Sequence, residues 1–521
     1  MIMHMPELNL TKDIICVNET VLDSSTEQSV ELDYLLPDYY PNIFKLLKTQ
    51  IVPKIQSQKV SGNKLYLDGI SAVKVLYLAE ETNRICSIEQ TVPFSKTIDL
   101  ASECQNPVVR VTARCYFVNA RAVNQRRLDI RGGISCKIKV TEPREAMAVC
   151  GGQGAGLQFH VTPMSVCDGK KYAVKQFTVT DELELGYSKP AFQSMLNYHC
   201  TVSPTDYKII ANKVICKGDL MLHILYMPTG DAPFPEPMDF SIPVSQIVDV
   251  PGVEEDYNCD VSFSVASVTF EPKATEGEES KILMCEFVIN VFCTGDRNKE
   301  ILLADDVYST LFESAMTSMP VSVERFLLTV NHTAICKQAL DVDSDSSIAG
   351  VYDAFCTLSE YTAKVEQGTV RINGMLAATV LCYDNDSMPF AIDKTFPVEI
   401  ALDCTPGTED ISFMPMADIL NVGYTISSPT QLELRAEVRV SGSIYQKVRC
   451  NTISDVTVNE EAPKDTASSC ALRLYYADKD EGIWDIAKRF GTAMTAVMEE
   501  NALDCERLPE PAMLLIPMVN N

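Results

Sequence analysis

Apolar and polar residues alternate along most of this chain, in runs rich in Val, Ile, Thr and Tyr. The clearest runs are LYLDGISAVKVLYL around Gly69, VICKGDLMLHILYM around Gly218 and VRINGMLAATVLCY around Gly374. Period-two patterning of this kind predicts half-buried strands. An apolar triad begins 26 residues before each glycine, spaced i, i+3, i+4. It reads Ile43, Leu46, Leu47, then Phe192, Met195, Leu196, then Ile348, Val351, Tyr352. Turn and cap residues precede it: Asp38 and Pro41, Ser188 and Pro190, Ser346 and Ser347. Helical spacing behind such residues predicts one short amphipathic helix at each triad. A leucine follows each glycine at +7 (Leu76, Leu225, Leu381), and then an apolar-flanked proline (Pro93, Pro243, Pro397).

The glycines are 149 and 156 residues apart, too far for a solenoid unit. The chain therefore reads as three tandem copies of one mainly antiparallel β domain, each with one helix and its own core. The expected bounds are 1–148, 149–300 and 301–458. CGGQGAG, Cys150 to Gly156, reads as the linker between the first two copies. It is no phosphate loop, because Leu157 stands where GxGxxG needs glycine and no Lys-Ser/Thr follows. A polar, Pro-containing tether, 459–470, leads to a separate module, 471–521.

Composition narrows the function classes. A net charge of −27 repels phosphate backbones, which argues against nucleic acid and against charge-driven docking on anionic lipid. No apolar run approaches the roughly 18 residues of a membrane span, and the N-terminus lacks a signal-peptide core. The expectation is a chain without a transmembrane segment that stays in the cytoplasm. The 19 cysteines are odd in number and never spaced CxxC, and Cys115, Cys216, Cys285 and Cys382 lie in strand-like text. They read as small buried hydrophobes in a reducing compartment. There is no HExxH and no GxSxG, and the five histidines are scattered. The expectation is no catalytic residue, no metal, no cofactor and no enzyme activity.

The C-terminal module reads as β-α-α-β. LRLYY is a strand. Ile483, Ile486, Ala487 and Phe490 form a helical stripe closed by Gly491 as C-cap. Met494, Val497 and Met498 belong to a second helix that stops near Asn501, and Met513 to Ile516 is the last strand. Trp484 lies one residue, about 100° of rotation, from Ile483. That places it at the edge of the stripe, partly exposed. Trp484 with Asp480, Glu481, Gly482, Ile483, Asp485 and Asn501 forms the expected partner-binding site, an exposed aromatic flanked by acids.

Two resemblances accompany these readings. The module resembles the LysM domain through Tyr475, Ile483, Trp484, Ile486, Ala487, Phe490, Gly491, Asn501 and the closing Leu515, Ile516, Pro517. Departures fall in the family's sugar-contacting loops, at Asp480, Glu481, Gly482 and at Pro511, Ala512, Met513. The upstream copies resemble the SPOCS domain of clostridial-type spore-coat proteins, above all through LPDYYPNIFKLLK with Asp38, Pro41 and Ile43. Tandem SPOCS repeats with one terminal LysM is the layout of a spore-coat morphogenetic family. The resemblance implies a non-enzymatic scaffold in the mother-cell cytoplasm at the forespore surface. Its implied partners are the basement-layer coat ATPase, reached through the LysM-like module, and other coat proteins. The alternative is a cell-wall protein whose LysM binds the N-acetylglucosamine units of peptidoglycan.

Overall fold

The computed structural model describes residues 8–230, 234–273, 281–342, 347–366, 368–403, 410–464 and 470–518. His4, Ser346 and residues 465–469 of the tether lie outside them. The first repeat is built from β1 (Asn9–Leu35), β2 (Ile43–Ser61), β3 (Lys64–Ala79), β4 (Ile85–Asp99), β5 (Val108–Asn124) and β6 (Arg127–Gln153). Strands β2-β3-β4 form one antiparallel sheet and β1-β6-β5 another. Their apolar faces enclose a core that includes Val30, Leu65, Leu67, Val75, Ile130 and Ile138.

The second repeat has β7 (Leu157–Cys167), β8 (Lys171–Glu184), β9 (Phe192–Ile210), β10 (Lys213–Pro228), β11 (Glu236–Asp249), β12 (Asn258–Pro272), β13 (Ile282–Asp296) and β14 (Asn298–Ser309). Here β7 with β8 takes the place of β1, and β13 with β14 the place of β6. The third has β15 (Phe312–Asp341), β16 (Gly350–Glu366), β17 (Thr369–Tyr383), β18 (Pro389–Asp403), β19 (Ile411–Phe413), β20 (Met416–Ser428) and β21 (Gln431–Pro463). Each repeat is thus a two-sheet sandwich with its own core. Cys216 and Cys285 lie in the second core and Cys382 in the third, while Cys115 packs at the edge of the first.

No helix forms at any triad; residues 43–61, 192–210 and 350–366 are strands. β-bulges explain the helical spacing. Pairing skips Phe44 and Leu47 in β2, Gln193 and Leu196 in β9, and Tyr352 in β16. Each extra residue shifts the inward phase of a strand by one, so an alternating pattern comes to read as i, i+3, i+4. The bulge also redirects a side chain. Ile43, Phe192 and Ile348 point into their own cores, whereas the bulged Leu47, Leu196 and Tyr352 turn away from them. The repeating glycine has a related cause. It faces a second bulge, where a Cβ on Gly69 or Gly218 would lie 2.8 Å from the carbonyl oxygen of Lys54 or Ser203. Only glycine permits that approach.

The bulged residues meet. Leu47, Leu196 and Tyr352 join Leu76, Leu225 and Leu381 in one cluster shared by all three repeats. The sandwiches close a ring around it. β4 packs on β9, β11 on β16 and β18 on β2; β2 packs on β12, β9 on β20 and β16 on β5. Beyond the sandwiches the first and last strands of each repeat continue as two-stranded ribbons, β1-β6, β7-β14 and β15-β21. These bundle into a stalk around Ile15, Val166, Leu303, Val323, Ile453 and Val456. The sequence boundaries at 148, 300 and 458 fall within β6, β14 and β21. Residues 150–153 of the glycine-rich linker belong to β6, and 154–156 make a tight left-handed turn into β7.

The three ring interfaces carry different polar pairs at corresponding positions. Between repeats one and two, Lys74 donates to the Tyr198 carbonyl oxygen (3.1 Å) and lies 3.2 Å over its ring. Burial draws this ammonium down to about 7. Between two and three, His223 bonds Asp353 (2.9 Å) and Asp239 (2.7 Å). Between three and one, Lys48 pairs with Asp393 at 2.6 Å. Burial opposes charge on His223, but its bonds to Asp239 and Asp353 prevail and push it up to about 10 from 6.5. A raised histidine stabilises the folded state fully below its unfolded pKa and loses that contribution as pH climbs through the folded one. The second interface should therefore hold at neutral pH and loosen between pH 7 and 10. NMR titration of the His223 ring should show an alkaline midpoint that falls in Asp353→Asn. A midpoint near 6.5 in the unmodified chain would contradict the pairing.

The C-terminal module comprises β22 (Leu472–Ala477), α1 (Ile483–Phe490), α2 (Met494–Glu500) and β23 (Ala512–Pro517). The two strands pair antiparallel, and Ile483, Ile486, Ala487, Val497, Leu514 and Ile516 fill the space beneath them. Gly491 closes α1 with φ 64°. No helix among the described residues is long and apolar enough to cross a membrane.

Candidate interaction site

The loop that opens α1 is shaped by its own residues. Asp480 adopts φ 65°, and its amide donates to Leu508 O at 2.9 Å. Glu481 accepts the Tyr475 hydroxyl at 2.8 Å and pairs with Arg489 at 3.2 Å. Gly482 bridges to Arg507 and precedes the helix. Ile483 is fully buried in the module core. Asn501 ties α2 to β23, because it exchanges two 2.7 Å bonds with the backbone of Leu515. Of the seven expected residues, Ile483 and Asn501 thus support the module from within, and Asp480, Gly482 and Glu481 shape one loop.

Trp484 is not the partly exposed anchor expected from its place on the helix. It is 8% exposed, because α1 is seated on the β7-β14 ribbon of the second repeat. Its indole Nε1 donates to Asp306 Oδ2 at 2.8 Å, and Lys488 Nζ reaches the same carboxylate at 2.7 Å. The indole packs 4.8 Å from the Tyr308 ring and 5.2 Å from His160. Tyr308 in turn donates to the Thr492 carbonyl oxygen at 2.6 Å. Burial works against the Asp306 carboxylate, but the bonds from Lys488 and Trp484 outweigh it and hold its pKa below the ordinary range. A cavity of about 550 Å³ opens beside the seat, lined among others by His160, Asp305, Asp485, Glu506 and Arg507.

Helical periodicity could not reveal this seat. Asp306 and Tyr308 stand 178 and 176 positions before Trp484, in a strand that looks like any other. The opposite side of the module is open. Leu472, Leu474 and Tyr476 alternate along the outer face of β22, beside Met513 of β23, and are 43%, 56%, 77% and 57% exposed.

Residues 42–138 and 193–273 match the family model for the SipL SPOCS domain. These stretches run from β2 into β6 and from β9 to just past β12, so they take in the meander sheet and the bulged strand of the first two repeats. No curated protein and no solved structure matches the chain. The family match suggests a coat-related role in sporulation. Two stretches of the chain, in its first and second repeats, are thus similar to the SipL SPOCS domain, and the match supports a SipL-type sporulation protein.

Proposed function

We propose that this chain is a non-enzymatic scaffold of spore-coat assembly. It joins the basement-layer coat ATPase to the forespore surface, on the mother-cell side, through its LysM-like module. The observation that carries this reading is the pair of SPOCS matches, taken with the LysM-like text of the module. The burial of Trp484 moves the expected contact. Its ring is occupied by Tyr308 and Asp306, so the partner is met by the outer face of β22 and β23. An apolar strip of that size on a charged module favours a protein over a glycan.

Affinity capture from sporulating cells with the full chain tests the reading. The eluate should contain a polymerising ATPase, and Leu474→Asp or Tyr476→Asp should lower its yield at least tenfold. Murein fragments in place of the ATPase would favour the peptidoglycan alternative. Capture lost in Trp484→Ala but kept in both strip variants would return the contact to the tryptophan face.

A further inference from the structure

The three sandwiches leave a cavity of about 550 Å³ between them. Its wall comes from all three repeats: residues 53–58 of β2 and 109–114 of β5, side chains of β8, β12 and β13, and Tyr361 with residues 414–418. Gln56, Ser57 and Val174 on its rim are exposed, so the cavity opens to solvent. Val265, Phe292, Met414 and Met416 supply an apolar lining, and methionine is adaptable to a bound shape.

The charge of this wall is inverted relative to the chain. The sequence holds 71 acidic and 44 basic residues, yet the wall carries Lys54, Arg110 and Arg114 against one carboxylate, Asp418. Asp418 is taken by Arg439 at 3.2 Å, and Arg110 by Asp260 at 3.1 Å. That leaves Arg114 and Lys54, neither of which has a carboxylate within ion-pair distance among the described residues. Lys54 lies 5.5 Å over the Tyr198 ring, and of the carboxylates only the more distant Glu89 favours its charge against burial. Arg114 donates to the carbonyl oxygens of Leu358 (2.9 Å) and Ala417 (2.6 Å) and lies 5.0 Å over the Tyr361 ring. Its Nε is buried without a partner. A staple between repeats needs no net charge, and an uncompensated cation held away from water is costly unless an anion joins it. Cationic walls in a low-dielectric cleft also concentrate anions that the rest of the surface repels.

We propose that this cavity binds a small organic carboxylate with an apolar body, its head group between Arg114 and Lys54 and its body against Val265, Phe292 and the two methionines. The probe is 2-naphthoate, with 2-naphthamide as its uncharged counterpart of the same shape. Isothermal titration of the full chain should give saturable binding of one 2-naphthoate per chain, with the amide at least tenfold weaker. Lys54→Gln and Arg114→Gln should each weaken the acid about tenfold and leave the amide unchanged. Ser264→Phe, which fills the cavity from β12, should abolish both. Arg114 also bridges repeats, so if its variant fails to fold, Lys54→Gln and Ser264→Phe decide. Equal affinity for acid and amide overturns the proposal. So does the absence of saturable heat at millimolar probe, or binding that persists in both deciding variants.

Discussion

Replacing Leu225 by alanine is expected to weaken all three repeats together. Leu225 is fully buried, and its neighbours in the shared cluster are Leu47 and Leu76 of the first repeat, Leu196 of its own and Tyr352 and Leu381 of the third. Truncation at such a site should cost about 2–5 kcal/mol. Leu220 is as well buried but belongs to the core of the second sandwich alone. Leu220→Ala should cost a similar amount and act locally. Hydrogen exchange separates the two cases. Leu225→Ala should lower protection where β3, β10 and β17 converge, and Leu220→Ala only within the second repeat. If Leu225→Ala left β3 and β17 protected, the shared cluster would not couple the repeats. Independent cores alone would confine the effect of Leu196→Ala to its own copy; membership of the shared cluster predicts a wider one. Leu46, packed on the first core, should still act locally.

Asp306→Ala should unseat the C-terminal module. The carboxylate accepts bonds from Trp484 and from the Lys488 ammonium, and hydrogen bonds with a charged partner contribute about 1.5–3 kcal/mol. The chain has a single tryptophan, so its fluorescence reports this seat and nothing else. The native emission should be that of a buried indole and should shift to the red in Asp306→Ala. Asp305→Ala, which removes the neighbouring carboxylate bonded to His160, should leave the emission in place. Circular dichroism should show the strands intact in both variants. An unshifted spectrum in Asp306→Ala would mean that the carboxylate does not hold the module down.

The mainly β character was legible because alternation is a local property of strands, and the module's two helices because their stripe and Gly491 lie within a few turns. The helix at each triad misled for a physical reason. A bulge inserts one residue into a strand and advances its phase, and Ile43, Leu46 and Leu47 then imitate a helical face. The recurrence of that pattern carried real information of another kind, since the third position of every triad enters the shared centre. What no local pattern encodes is which distant strand a surface meets. Trp484 shows this most plainly. Rotation about its helix placed it correctly at the edge of the module core, but its exposure is settled by Asp306 and Tyr308 on a ribbon of the second repeat. Arg114 likewise reads as a polar position in a strand, and only the meeting of the first and third repeats gives it Leu358, Ala417 and Tyr361.

The stalk makes the order of the repeats along the chain a matter of where the chain is cut. Leu10 and Val458 pack in one cluster, and Lys12 bonds the Ser454 carbonyl oxygen at 3.0 Å across 442 positions. The first strand of the first repeat and the last strand of the third are therefore neighbours, as β6 and β7 are at the turn between the first and second. A chain that started at Leu157, with its former ends near Asn9 and Pro463 joined by a short connector, would keep every interface of the ring. The three polar pairs would still identify each repeat to its neighbour, so the circle would close in the same order. What such a permutant would lose is the attachment point of the terminal module. In the natural order that module comes after β21 in the sequence and is seated on the ribbon of the second repeat, which marks one of three otherwise corresponding positions as distinct.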